Sequence, residues 1–423
     1  MPDLALALVA GLILLYALTA QRSLNWNITA PMIALVVGAV VFRLSGLASI
    51  DLSWVHLMAE VTLVLVLFHD AATVQLSGLV RDYGLPLRLL AIGFPLALVA
   101  TLGTALWLLP AVGVAGALLL AAAATPTDAG LGAPTVLNPS VPVRVRRALN
   151  VESGLNDGLA TPLVLLALAA IAAEPSEDPS LFGIGVIPVA VGLGLAVVVG
   201  LAGGWLTDRS REFQWSSVDS REIAVFALPL LLLGLATMTG GNVFIAAFVG
   251  GLIFGGASST LRAEPESSQL LQLITDLFSL AVWFMGGGLV LLVVEFGIRW
   301  QWVVMALLIL TVLRMVPVWI SLWGTGFRWQ TVAFFGWFGP RGLATVIFAI
   351  LAIEDLGDSA PLITDVIGTL AVTVLISVFA HGISAGPLAG RYAAWVARTH
   401  PPIEHETAPE PAPTRGGIAG RPG

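Results

Sequence analysis

Thr125-Pro126-Thr127-Asp128-Ala129-Gly130, a short basic loop, and then Glu152-Ser153-Gly154-Leu155-Asn156-Asp157-Gly158 form two acid-bearing segments inside otherwise apolar sequence. A charged side chain at the centre of a bilayer costs at least about 2.5 kcal/mol, so an acid retained there implies a function. Whether these acids lie in a bilayer depends on the rest of the chain.

The composition places them there. Of 423 residues, 57% are hydrophobic and only 11% charged, and the mean hydropathy is +0.95. A chain of this kind is a polytopic membrane protein. Cysteine is absent, which excludes disulfides, thiolate metal sites and cysteine nucleophiles. All 19 basic residues are arginine. The first apolar run follows Met1-Pro2-Asp3 with no positive leader, so it is read as a helix and not a signal peptide.

Runs long enough to cross about 30 Å at 1.5 Å per residue recur along the chain. Thirteen are expected, at 4–20, 28–47, 56–76, 87–108, 111–137, 146–172, 183–206, 222–239, 242–257, 268–294, 300–324, 330–353 and 362–386. Arginine marks the loops that stay in the cytoplasm. With the N-terminus outside, the inner loops receive Arg22, Arg81, Arg88, Arg144, Arg146, Arg147, Arg209, Arg211, Arg221, Arg262, Arg328, Arg391 and Arg398. The outer loops receive only Arg43 and Arg299, beside acids such as Glu174, Glu177, Asp178, Glu354, Asp355 and Asp358. This sorting predicts a cell-membrane protein with its N-terminus outside and its C-terminus inside. Residues 1–390 are expected to form the membrane domain and 391–423 a short cytoplasmic tail, in which the composition after Arg398 turns to Pro, Gly, Thr and acidic residues, too poor in apolar surface to order themselves.

Two runs carry helix breakers. Pro126, Gly130, Gly132 and Pro134 interrupt the fifth, and Gly336, Gly339, Pro340 and Gly342 the twelfth. Unwound backbone at membrane depth is tolerated only where protein or a watery cavity surrounds it. If runs 1–6 and 8–13 are inverted halves joined by run 7, the two breaks are symmetry mates, the sequence sign of a transporter's central site. A pair of lipid-facing proline kinks is the plainer alternative.

Residues four apart share a helix face, so Ser153 lies with Asp157 and Glu152 with Asn156. Asp157, the Ser153 hydroxyl, Asp128 and the Thr127 carbonyl offer hard oxygen donors, which suit an alkali cation such as Na+. The same carboxylates take protons when the ion leaves, since burial and a like-charged neighbour favour the neutral form. Ion and proton then compete for one site, the minimal chemistry of an exchanger. Alternatively, Asp128 and Asp157 cap helix ends or bond each other. Arg314, in the middle of the eleventh run, keeps its charge and needs an acid, and Glu152 is the candidate. Arg341, inside the second break, either pairs with freed carbonyls or points to the cytoplasmic mouth. Asp70, beside His69, and Asp276 are read as cavity or interface residues. Two other classes compete: an intramembrane hydrolase using Ser153 and His381, and a passive cation channel lined by the same acids.

Thr127-Asp128 between helix breaks, Glu152-Ser153-Gly154-Leu155-Asn156-Asp157, Arg314-Met315-Val316-Pro317 and Gly336-Trp337-Phe338-Gly339-Pro340-Arg341-Gly342 closely resemble NhaP-type sodium/proton antiporters of the monovalent cation:proton antiporter family, over about the first 390 residues. The resemblance implies an all-α fold of thirteen helices in two inverted six-helix repeats, with crossed broken helices 5 and 12, and a homodimer in which one domain moves like an elevator. It implies that Asp157 carries ion and proton, that Asp128, Ser153 and the Thr127 backbone are fellow ligands, and that Glu152 and Arg314 are a stabilising pair. The Asn156-Asp157 pair implies electroneutral one-for-one exchange, with no cofactor beyond the transported Na+ and H+ and no nucleic-acid partner. Pro340 departs from the family, where an apolar residue is usual, and leaves selectivity among sodium, lithium and potassium open.

Overall fold

The computed structural model describes residues 2–45, 52–74, 84–136, 138–172, 186–357 and 361–404. Arg81, Glu174, Glu177, Asp178, Asp358 and the tail beyond 404 lie outside the described residues. No strand occurs among the described residues, and the all-helical class expected from composition is what the fold shows.

The helices are α1 (Pro2–Asn25), α2 (Ala30–Ser45), α3 (Leu52–Thr73), α4 (Gly84–Leu108), α5 (Gly113–Ala124), α6 (Ala129–Val136), α7 (Val143–Ala172) and α8 (Ile187–Glu212). They continue as α9 (Val218–Thr239), α10 (Val243–Ala257), α11 (Gln269–Phe296), α12 (Trp300–Leu310), α13 (Val312–Ser321), α14 (Trp329–Trp337), α15 (Leu343–Leu356) and α16 (Pro361–Thr399). Among the described residues, eight helical stretches are long and apolar enough to cross a membrane, and Ala30–Leu44, Pro110–Ala124 and Val243–Ala257 are shorter apolar helices. Local chemistry sets several boundaries: the Ser217 side chain accepts the Ser220 N–H at the start of α9, and Asn242 accepts the Ile245 N–H at the start of α10.

In lipid no hydrophobic force drives helices together, so close packing of small residues does. A Cβ on Gly38 would collide with the Phe284 carbonyl, and one on Gly287 with the α2 backbone, so α2 and α11 meet at backbone distance. Gly251 and Gly255 bring α10 equally close to Phe68 and Ala72 of α3.

Both expected breaks are present, within narrower limits than the glycines and prolines suggested. The first is confined to Thr125–Asp128, while Gly130, Gly132 and Pro134 are taken into α6. The second spans Phe338–Gly342, with Gly336 still in α14. The eleventh run has an interruption that the sequence reading lacks: Thr311 (φ −118°, ψ −92°) separates α12 from α13 three residues before Arg314.

Around Arg88, Arg144, Arg328 and Arg398 the helix ends gather into a second apolar cluster that includes Leu85, Val141, Val145, Val318, Phe334, Tyr392 and Val396. Arg146 and Arg147, expected in a loop, are buried in the first turns of α7, where Arg146 Nε donates to the Val141 carbonyl at 2.9 Å. Glu264, after α10, bridges Arg211 (2.8 Å) and Arg221 (2.7 Å). The Arg221 hydrogen bond, aided by Arg211, holds its carboxyl below the usual range. Arg299, at an end assigned to the outside, donates to Asp365 at 2.7 Å.

α16 runs through residue 391 to Thr399, beside Arg398, where the composition changes. The Tyr392 ring stacks on Phe334 with centroids 4.1 Å apart, and that packing carries the helix past 390. The chain then returns to the protein. Arg144 donates to the Ile403 carbonyl at 2.8 Å, and the buried Glu404 accepts from the Thr331 hydroxyl at 2.6 Å beside the start of α14. Replacing Glu404 with alanine leaves a buried hydroxyl short of its acceptor, so the variant is expected to lose about 1–3 kcal/mol of stability. Thermal melting in detergent checks this, and an unchanged melt refutes the docking.

Candidate ion-binding site

The two breaks meet at Asp128. Its main-chain N–H donates to the Pro340 carbonyl at 2.8 Å. Its Oδ1 accepts the N–H groups of Gly130 (2.7 Å) and Leu131 (3.3 Å), and its Oδ2 accepts that of Leu343 (2.6 Å). One carboxylate therefore caps the N-termini of α6 and α15 together, where helix dipoles favour negative charge. The opposite ends receive donors: Arg341 Nη1 reaches the Pro126 carbonyl at 3.3 Å, and the Thr345 hydroxyl the Ala123 carbonyl at 2.9 Å. Of the two roles left open for Arg341, pairing with a freed carbonyl is the one present. Gly342 is required by this arrangement, because a Cβ there would overlap the Asp128 carboxylate.

The second layer lies on α7. Thr127 Oγ1 is 2.8 Å from Ser153 Oγ and accepts from Asn156 Nδ2 at 2.7 Å. The Thr127 hydroxyl, where the sequence reading had named its carbonyl, thus joins the first break to α7. Asn156 Oδ1 is buried without a hydrogen-bond partner among the described residues. Asp157 is 2% exposed and follows Asn156 directly, on the Ser153 face, and its carbonyl accepts the Thr161 hydroxyl at 2.8 Å. Thr127 links the surroundings of the two acids: Asp128 adjoins it in the chain, and Ser153 and Asn156 beside Asp157 touch it. Asp128 is a helix cap, as the plainer reading has it, yet its Oδ2, which accepts a single N–H, has a further lone pair for a cation.

Also on α7, next to Ser153 in the chain, Glu152 forms a bidentate ion pair with Arg314. Nη1 meets Oε1 in the closest contact, Nη2 meets Oε2 at 2.9 Å, and Nη2 also reaches the Phe335 carbonyl at 3.4 Å. Both side chains are buried. A Cβ on Gly339 would come within 2.5 Å of Arg314 Nε, so the pair supports the second break directly. Asp70, whose Oδ1 is 3.1 Å from His69 Nδ1, lies under Gly154, where a Cβ would contact it at 3.6 Å.

A cavity of about 50 Å³ opens beside the crossing, lined by Tyr16, Asp128, Asp276, Ser279, Trp283 and Leu343 among others. Asp276 therefore faces the same space as Asp128. This agrees with the reading of Asp276 as a cavity or interface residue. Leu343, Thr345 and Ser377 were missed, since a backbone N–H and lone hydroxyls carry no pattern. Ser153 and His381 are not brought together as a nucleophile and base: Ser153 bonds Thr127, and His381 bonds Ser377 on its own helix.

Paired broken helices crossing over buried charge at membrane depth define the class of ion-coupled secondary transporters. The family described as sodium/hydrogen exchanger, transmembrane, matches residues 4–391, and the chain belongs to it. It is 27% identical over 313 residues to a Na(+)/H(+) antiporter of Schizosaccharomyces pombe, covering 67% of this chain and 66% of that protein. It is 25% identical over 311 residues to the K(+)/H(+) antiporter NhaP2 of Shewanella oneidensis, covering 72% of this chain and 52% of that one. The chain thus spans between about half and two thirds of the length of these curated relatives. The fold is similar to that of the sodium proton antiporter MjNhaP1 from Methanocaldococcus jannaschii. In the structure at pH 8 the TM-score is 0.68 at 23% identity, with 92% of this chain and 99% of that one covered. In the electron-microscopy structure of the same protein it is 0.73 at 19% identity, with 94% and 99% covered.

Substitutions at three residues test the geometry. Glu152→Ala or Arg314→Ala strands a buried charge and is expected to cost about 3–5 kcal/mol, whereas replacing both with apolar residues costs less. Thermal melting of the three variants checks this, and equal stability of single variants and wild type refutes the pairing. Gly342→Ala is expected to abolish transport in vesicles by driving the Asp128 carboxylate from its caps, and full activity in that variant refutes the crossing.

Proposed function

We propose that the protein exchanges a monovalent cation, Na+ before others, for H+ across the cell membrane by alternating access. The observation that carries this reading is the buried oxygen-rich face of Thr127, Ser153, Asn156 and Asp157, set at the crossing of two broken helices. Asp157 binds the cation in one half of the cycle and a proton in the other. Ser153, Thr127 and Asp128 complete the ligand set with hard oxygen donors. Asn156 cannot ionise, so one carboxylate is neutralised per crossing and exchange is electroneutral, one for one. The relatives include proteins named for Na+ and for K+, and K+/H+ exchange on the same fold is the second reading. The N-terminus lies outside and the C-terminus inside, in accord with the arginine sorting, and the protein works as a homodimer.

Purified protein in sealed vesicles tests the proposal. An imposed sodium gradient is expected to move protons the opposite way, at a rate independent of a clamped membrane voltage. A panel of alkali cations ranks Na+ against K+ and Li+. Sodium flux without counter-moving protons would make the protein a channel, and voltage-dependent exchange would refute the one-for-one ratio. Asp157→Asn is expected to abolish exchange with an unchanged melting profile, and full activity would remove Asp157 from the site.

A further inference from the structure

The second break leaves backbone groups that no helix satisfies, and accounting for them points to two residues on α16. Phe338 N–H donates to Phe334 O at 2.9 Å, Gly339 N–H to Trp337 O at 2.8 Å, and Pro340 has no N–H. Leu343 N–H goes to Asp128. The Arg341 N–H, buried with the rest of its residue, goes to the Ser377 hydroxyl at 2.7 Å. A buried N–H at membrane depth needs such a partner. Ser377 thus stands to Arg341 as Asp128 stands to Leu343.

Ser377 is held in turn. His381 Nδ1 lies 3.0 Å from the Ser377 carbonyl and 3.2 Å from its Oγ. A carbonyl only accepts, which assigns the His381 tautomer with the proton on Nδ1, its N–H facing both oxygens of Ser377. The ring packs against Trp337 with centroids 4.9 Å apart, and Trp337 Nε1 donates to Ser384 on the same helix at 3.0 Å. The four-residue spacing of Ser377 and His381 on α16 matches that of Arg341 and Trp337 across the break. α16 therefore clamps both ends of the unwound segment. Through the Arg341 guanidinium on the Pro126 carbonyl, it also fixes the first break next to Thr127.

We propose that Ser377 and His381 are positioning residues for cation exchange: the imidazole orients the Ser377 hydroxyl, which fixes Arg341 and, through it, the Thr127–Asp128 ligand segment. This role rests on the antiport reading above, but the tether itself does not.

The test uses the full-length protein as wild type, Ser377→Ala, His381→Ala, His381→Asn and the double alanine variant. Hydrogen–deuterium exchange of peptides covering 338–345 reads the tether without transport, and cation-driven proton flux in vesicles reads the role in exchange. Loss of the hydroxyl or of its orienting ring is expected to speed exchange in that peptide by about tenfold and to raise the apparent KM for the cation by about tenfold, with a smaller change in maximal rate. His381→Asn, whose amide N–H donates in place of the Nδ1–H, is expected to restore both readings. The double variant is expected to be no worse than either single one, because the two residues act as one unit. Unchanged deuterium exchange in Ser377→Ala overturns the tether. KM effects that multiply in the double variant, or His381→Asn as impaired as His381→Ala, overturn the coupling. Wild-type vesicles without cation-driven proton flux overturn the antiport reading and with it the role in exchange, while deuterium exchange still decides the tether.

Discussion

The Asp128 carboxylate, shared between the N-termini of α6 and α15, is the interaction on which the site depends. Interrupting a helix inside a membrane exposes N–H groups at one end and carbonyls at the other, and water cannot satisfy them there. Here each break supplies part of the remedy for the other: Asp128 of the first receives an N–H of the second, and Arg341 of the second donates to a carbonyl of the first. The charges also oppose the helix dipoles, acid at positive ends and arginine at a negative end. Neither half is stable in this form without its partner, so the crossing is a single cooperative unit.

That unit needs a rigid frame, and the Glu152–Arg314 pair provides one. It joins α7, α13 and the end of α14, so the helix carrying Asp157 is fixed against the helix leading into the second break. A buried pair of this kind is no efficient source of stability compared with apolar packing. Its value lies in register, because Glu152 and Ser153 are neighbours and any rotation of α7 that moved the ligand face would also break the pair.

How much of this the sequence made legible follows from the physics of each feature. Apolar runs, both breaks, and the Glu152–Arg314 match were readable because uncompensated charge and missing backbone donors are costly in lipid and leave few solutions. The limits of the breaks were not, since Gly130 and Pro134 are tolerated in a short half-helix once Asp128 caps it. The interruption at Thr311 had no breaker to announce it. The end of α16 coincides with the change of composition after Arg398, whereas the packing of Tyr392 and Val396 with Phe334, more than fifty residues away in sequence, was not legible. Single hydroxyls such as Ser377 and Thr345 acquire meaning only from the three-dimensional crossing.

The geometry also divides labour between the two acids in the proposed exchange. Asp128 cannot leave its place without exposing the N-termini of two half-helices, so in that proposal its Oδ2 serves as a fixed donor. Asp157 lies beside Ser153 and Asn156, which reach the crossing through the Thr127 hydroxyl. Asn156 fixes Thr127 with its amide nitrogen and keeps its oxygen turned inward without adding a charge. An aspartate at 156 would lose that donor as well as add a carboxylate, so the neutral residue serves the hydrogen-bond pattern and the charge balance together.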